Sequence, residues 1–278
     1  MKSLKIIAAL SVFILWASCS TTTGVSESWM SPEGLNTTES VYFDGESGVI
    51  YVSNINGKPT ERNGAGFISR LKADGTADPL EWVGGMDAPK GMGLYDGRLY
   101  VSDINRIHVV DVTAAAIVNT IEVEGAKFLN DIAIDERGTV YFSDTGASKI
   151  GVLVNGAAET WLELTEYKKP NGLFMDGVEL LAGTSAGLVR ISLEDKSQTL
   201  EIPLKGGIDG LKPLGDGSYV VSDWKGKIQI ISAASEPVVV SDTTEVNINA
   251  ADFEYVEANN GLLVPTFFDN RVIYLGLD

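Results

Sequence analysis

The sequence predicts an all-β chain folded as a six-bladed β-propeller. Three observations predict it: a hairpin unit that recurs six times, a spacing of about forty residues between units, and the absence of long helical periodicity. The unit is clearest at Asn130 to Asp144, N-D-I-A-I-D-E-R-G-T-V-Y-F-S-D. An amide-acid pair opens an alternating strand in which Ile132 and Ile134 share a face. Glu136-Arg137-Gly138 turns the chain, and Val140 to Phe142 return it to Ser143-Asp144. Polar groups therefore sit at the open end of a hairpin.

Taken in order, the chain begins with an address. Lys2 and Lys5 precede an apolar run from Ile6 to Trp16, too short to span a bilayer, and Ala17-Ser18 supply small residues before Cys19. This reads as a bacterial export signal, and the small pair before Cys19, the chain's one cysteine, resembles the lipobox of bacterial lipoproteins. The expected organisation is a signal peptide over 1–18, a lipidated tether over 19–25, and a single propeller over 26–278. Acylation of Cys19 would hold an exported domain on a membrane surface, with the periplasm the expected compartment and the lipid anchor the only membrane contact.

The hairpin units then fill the chain. They open at positions 39, 90, 130, 171, 209 and 251, so the steps are 51, 40, 41, 38 and 42 residues, which suits four short strands per blade. In the first unit the four strands are expected at Ser40 to Phe43, Val49 to Ser53, Gly66 to Leu71 and Pro79 to Val83, with Asp44-Gly45 turning the first hairpin. The sixth unit runs out after its third strand, Arg271 to Leu277. A bare edge there would leave backbone groups unpaired, so Ser26 to Met30 is expected to close the ring as the outer strand of the last blade.

Propeller geometry turns the repeat into a site. The first strand of each blade lines the channel, so Glu39, Lys90, Asn130, Asn171, Asp209 and Ala251 are expected to meet around the axis. Two carboxylates and two amide oxygens suit one hard divalent cation, and a net charge of −17 favours such an ion while arguing against a nucleic-acid partner. Asp131 and Asp252 each follow a ring position and are candidates for a supporting shell or reserve acid, or for turn caps. Trp224, Phe267 and Phe268 fall on the expected rim, where they could stack on a ligand or cover the core edge. Lys90 leaves an alternative open, in which its ammonium pairs with Glu39 or Asp209 and displaces the ion. His108, the one histidine, lies inside the strand Ile107 to Val110 and reads as structural. No P-loop, nucleophile elbow or cysteine-histidine cluster is present.

The ordered set Glu39, Asn130-Asp131, Asn171-Gly172 and Asp209-Gly210 resembles the senescence marker protein, gluconolactonase and luciferin-regenerating enzyme family of six-bladed propellers, over essentially the whole mature chain. In that family, and in the similar paraoxonases and diisopropyl-fluorophosphatase, a Glu, two Asn and an Asp hold a catalytic divalent metal. The resemblance implies that Glu39, Asn171 and Asp209 are core ligands and that Asn130 is a fourth ligand or substrate contact. Calcium is the expected ion, with magnesium and manganese as alternatives. The implied activity is hydrolysis of a lactone or related ester, with Asp209 as general base. The competing class is a non-catalytic propeller that binds a ligand or protein at its rim.

Overall fold

In the computed structural model, which describes residues 25–277, six four-stranded antiparallel sheets form a ring. The inner strands are Thr38–Asp44, Met92–Tyr95, Leu129–Ile134, Leu173–Asp176, Leu211–Pro213 and Glu254–Val256, one at the head of each of blades 1 to 6. Each is followed by strands lying progressively further from the axis. Cys19 and the expected signal segment over 1–18 lie outside the described residues. Among the described residues no helix is long and apolar enough to cross a membrane.

The Ser-Asp that ends the second strand in blades 2, 3 and 5, with Ser53-Asn54 in its place in blade 1, has a physical reason. Ser222 Oγ accepts the Gly210 N–H at 2.8 Å within its blade and donates to the Ala251 carbonyl at 2.9 Å in the next. Ser102 likewise donates to the Asn130 carbonyl, while Ser143 and Ser53 accept the N–H groups of Asp131 and Ser40, each at 2.9 Å. The hydroxyl thus satisfies buried backbone groups that the inner ladder leaves unpaired. The aspartate caps the incoming loop: Asp144 accepts the N–H groups of Lys127, Phe128 and Ala147 at 2.9 to 3.0 Å. Asp103 does the same for Asp87, Ala88 and Ile104, and also receives His108 at 3.1 Å. These donors outweigh burial and hold the Asp103 carboxyl far below its ordinary range.

Glycine after the opening residue serves close approach and not a turn. Neither Gly91 nor Gly172 has left-handed backbone, but a Cβ on Gly172 would collide with the Asp209 carbonyl of the next blade, and one on Gly91 would lie 2.5 Å from the Asp131 Cα. In blades 1, 3 and 6 the same position carries Ser40, Asp131 and Asp252, whose side chains bond to neighbours.

One local expectation is corrected and one is refined. The outer strand of blade 1 is Val83–Met86, not Pro79 to Val83, because the pairing slips at Gly66/Phe67 and residues 78–82 meet residues 68–70 only irregularly. The first hairpin does turn from Gly45, over residues 45–48, and its left-handed position is Gly48, whose φ is 70°.

The ring closes as the sequence requires. Val25–Met30 pairs antiparallel with Val272–Leu277 and supplies the fourth strand of blade 6. Trp29 stacks on Tyr274 with centroids 5.8 Å apart, so the seal is apolar as well as hydrogen-bonded. Deleting Ser26 to Met30 is therefore expected to lower the melting temperature and promote aggregation, and Trp29→Ala to reduce unfolding free energy by about 2 kcal/mol. Chemical denaturation and light scattering check both, and unchanged stability would refute this account of closure.

Candidate functional site

Four of the six opening residues enter in one register. The N–H groups of Lys90, Asn171, Asp209 and Ala251 donate to the second-strand carbonyls of Ser102, Gly183, Ser222 and Pro265 at 2.8 to 3.1 Å. In blades 1 and 3 the inner strand carries an extra residue instead, with irregular pairing between Thr38 and Val41 and between Leu129 and Ile132. Such bulges re-aim side chains, and here they fall on Glu39 and Asn130.

Asn171 donates through Nδ2 to Asp209 Oδ1 at 2.6 Å. In the ring, three buried oxygens are then left without any partner: Glu39 Oε2, Asn171 Oδ1 and Asp209 Oδ2. Unpaired buried oxygens are costly, and these belong to three of the four residues singled out as ligands. Asn130 is buried in the ring and accepts the Gly91 N–H on its carbonyl at 3.0 Å, but its amide makes no hydrogen bond to the other three. The donor set is all oxygen, two carboxylates and an amide, which fits a hard divalent cation. Among the described residues no group of three His, Cys, Asp or Glu side chains is arranged to hold a metal, so the amide is essential to the assignment.

Burial and mutual repulsion dominate the electrostatics of the ring. Burial, then the charge of Asp209, raises the Glu39 carboxyl well above its usual range, although Lys90 pulls the other way. Burial, then Asp252, brings Asp209 to about 7. Lys90 does not form the ion pair that the alternative reading requires. Its ammonium donates to the Ala88 carbonyl at 2.8 Å and lies 4.7 Å from the centroid of the Phe128 ring, and no carboxylate lies within ion-pair distance. Burial holds its pKa down, against the opposing pull of Glu39 and Asp103.

Below the ring, the channel carries its own counter-ion. A cavity of about 270 Å³ is lined by Asp131, Asp252 and Lys212 together with Tyr42 and Phe174. Lys212 pairs with Glu254 at 3.0 Å, and the charges of Glu254, Asp252 and Asp131 outweigh burial to raise its pKa. Asp131 accepts the N–H groups of Ile132 at 2.7 Å and of Leu173 in blade 4 at 2.6 Å, while Asp252 accepts the Ser40 hydroxyl at 2.6 Å. They are inter-blade ties facing the channel. Burial raises both carboxyls, Asp252 to about 6. Sequence reasoning missed Lys212, which follows its ring position by three residues and carries no motif signal.

At the rim, Trp224, Phe267 and Phe268 form one edge-to-face cluster with centroids 4.7 to 6.3 Å apart. Phe267 is buried, whereas Trp224 and Phe268 are exposed. His108 is buried within blade 2 between Asp103 and Thr120, away from the ring. A surface cleft of about 500 Å³ at the far hairpin tips, lined by Asp135, Arg137, Glu179 and Glu194 among others, contains none of the ring residues.

Fold and geometry together define a six-bladed propeller with an oxygen-lined axial site. No protein-family profile matches the chain, and no curated protein matches it. Among solved structures it is similar to virginiamycin B lyase from Staphylococcus aureus, a catalytically inactive histidine-to-alanine form with quinupristin. That likeness has 14% identity and a TM-score of 0.61 and covers 92% of this chain and 99% of that one. It is also similar to the extracellular domain of a one component system from B. thetaiotaomicron, at 18% identity and TM-score 0.56, covering 85% of this chain and 33% of that one. At these identities the likeness shows the fold.

The raised carboxyls give a pH dependence of known sign. Unfolded Asp titrates near about 4, whereas Asp252 and Asp209 in the fold titrate at about 6 and about 7, so the folded state holds more protons between those values. Their contribution to stability is full below the unfolded pKa and is lost as pH rises through the folded values. Chelator-treated protein is therefore expected to melt at a lower temperature at pH 8 than at pH 5. Added calcium should raise the melting temperature at pH 8 far more than at pH 5, as differential scanning calorimetry would show.

Proposed function

We propose that this protein is a divalent-metal-dependent hydrolase acting on a lactone or related ester. The observation that carries the reading is that three ring residues each bury an unpaired oxygen, Glu39 Oε2, Asn171 Oδ1 and Asp209 Oδ2. The likeness of the ring residues to the senescence marker protein, gluconolactonase and luciferin-regenerating enzyme family supports it. So does the presence of a lyase, virginiamycin B lyase, among proteins of similar fold.

Glu39, Asn171 and Asp209 would hold the ion, with Asn130 completing the oxygen set. When bound, the ion would polarise the scissile carbonyl and relieve the repulsion between the two carboxylates. Asp209 is the base in this reading. One of its oxygens is fixed by the Asn171 amide, which sets the orientation of the carboxylate. Asp209 takes a proton from water as the water oxygen bonds to the acyl carbon. The acyl C–O bond then breaks, and the departing oxygen receives that proton, giving a hydroxy acid from a lactone. With His108 locked inside blade 2, a carboxylate is the base at hand.

Asp209→Asn removes the base and one negative charge, so hydrolysis is expected to fall about a hundredfold or more, with weaker metal binding. Glu39→Gln should chiefly weaken the metal. The check is turnover of aldonolactones, acyl-homoserine lactones and aryl esters with calcium, magnesium, manganese or chelator, beside calorimetric titration of the ion. If nothing is turned over and no divalent ion binds, the non-catalytic scaffold replaces this reading.

The proposal includes location, through acylation of Cys19 and retention on a bacterial membrane outside the cytoplasm. Cys19→Ser is expected to abolish labelling by a radioactive fatty acid and release the protein into the soluble fraction. Continued membrane fractionation of that variant would overturn the anchor.

A further inference from the structure

Two bulky rim residues are held in backbone conformations that such residues rarely adopt. Trp224 has φ 63° and Phe267 has φ 52°, both in the left-handed region. Strain of this kind persists where surrounding contacts over-determine it. Those contacts are present. The Trp224 carbonyl accepts Asn249 Nδ2 at 2.9 Å and the Ala250 N–H at 3.3 Å, and Lys225 and Lys227 donate to Asp223. The Phe267 carbonyl accepts the Asn270 N–H at 3.0 Å, and Asn270 in turn receives the Thr37 N–H at 2.6 Å.

The strained pair stands beside the axial site. Phe267 bridges to Thr38, the residue before Glu39, and packs on Ala88, Ala251, Ile55 and Ile104. Trp224 follows Asp223, whose charge is felt at Asp209, and bridges to Ala250. Trp224 is 38% exposed and Phe268 59%, so two large aromatic faces reach solvent next to buried carboxylates.

We propose that Trp224, Phe267 and Phe268 form a subsite for an extended apolar arm, so that the substrate of the axial site carries a hydrocarbon chain and not a polyhydroxylated ring. The three rings are nearly perpendicular to one another, at 76° to 89°, which gives a corner and no shared flat platform for ring stacking. Phe267 packs down onto Ile55, Ala88, Ile104 and Ala251, so the corner rests on an apolar floor. The chemical identity of the head group rests on the hydrolase reading, whereas the arm does not.

The test compares γ-dodecalactone with γ-butyrolactone, which lacks the arm, using the full chain and two variants. Trp224→Asn removes the ring while keeping a residue that tolerates left-handed backbone; Phe268→Ala, more exposed, serves should the first variant fail to fold. The ratio of kcat/KM for the long over the short lactone is expected to fall about tenfold in each variant. Calorimetric affinity for the matching long-chain γ-lactam, which resists hydrolysis, should fall in step. An unchanged ratio with unchanged lactam affinity overturns the subsite while leaving the hydrolase reading intact, and so does a wild-type preference for glucono-δ-lactone over γ-dodecalactone. Lactam binding that depends on Trp224 in the absence of any turnover upholds the subsite and removes the hydrolase. Absence of both turnover and lactam binding removes both.

Discussion

Crowding at the axis is the constraint on which the rest of the structure depends. Six inner strands must converge, and where they touch there is room for backbone and little more, as Gly91 and Gly172 show by the collisions any Cβ would meet. The residue just before each contact is thereby driven toward the channel mouth. Backbone groups that the crowded ladders cannot pair are taken up by Ser53, Ser102, Ser143 and Ser222, two of which also reach into the next blade. The requirement that closes the ring and the arrangement that builds the site are the same piece of geometry.

Crowding also decides the electrostatics. Glu39, Asp131, Asp209 and Asp252 are buried within reach of one another, and each is held above the ordinary carboxylate range. The lower half of the channel answers this with Lys212, which pairs with Glu254 and feels Asp252 and Asp131. The upper half has no equivalent. Lys90 is near enough to be felt by Glu39, yet its ammonium is engaged by Ala88 and the Phe128 ring. One end of the axis is thus neutralised by the protein, and the other keeps buried oxygens that no side chain or backbone group pairs.

Much of this was legible in the residues. The recurring hairpin unit and its spacing of about forty residues showed blade number and order because each blade repeats the same four-strand pairing. The truncated sixth unit implied its closing strand because an uncovered edge is untenable. The strand bounds of blade 1 were less legible, since a slipped pairing at Gly66 leaves no mark in local sequence. Asn-Gly and Asp-Gly read as turn dipeptides, yet at the axis their glycines answer to a neighbouring blade.

The sequence by itself determined which residues reach the axis, because strand periodicity and blade spacing fix where Glu39, Lys90, Asn130, Asn171, Asp209 and Ala251 stand. Only the tertiary structure decided what each does on arrival. That Asn171 clamps Asp209, that Lys90 turns from the carboxylates, that Lys212 comes in from three residues further on and that Trp224 and Phe267 are held in left-handed backbone all depend on contacts between different blades. Hydrogen bonding, desolvation and charge act over a few ångströms in space, and residues close in space here are separated by whole blades along the chain.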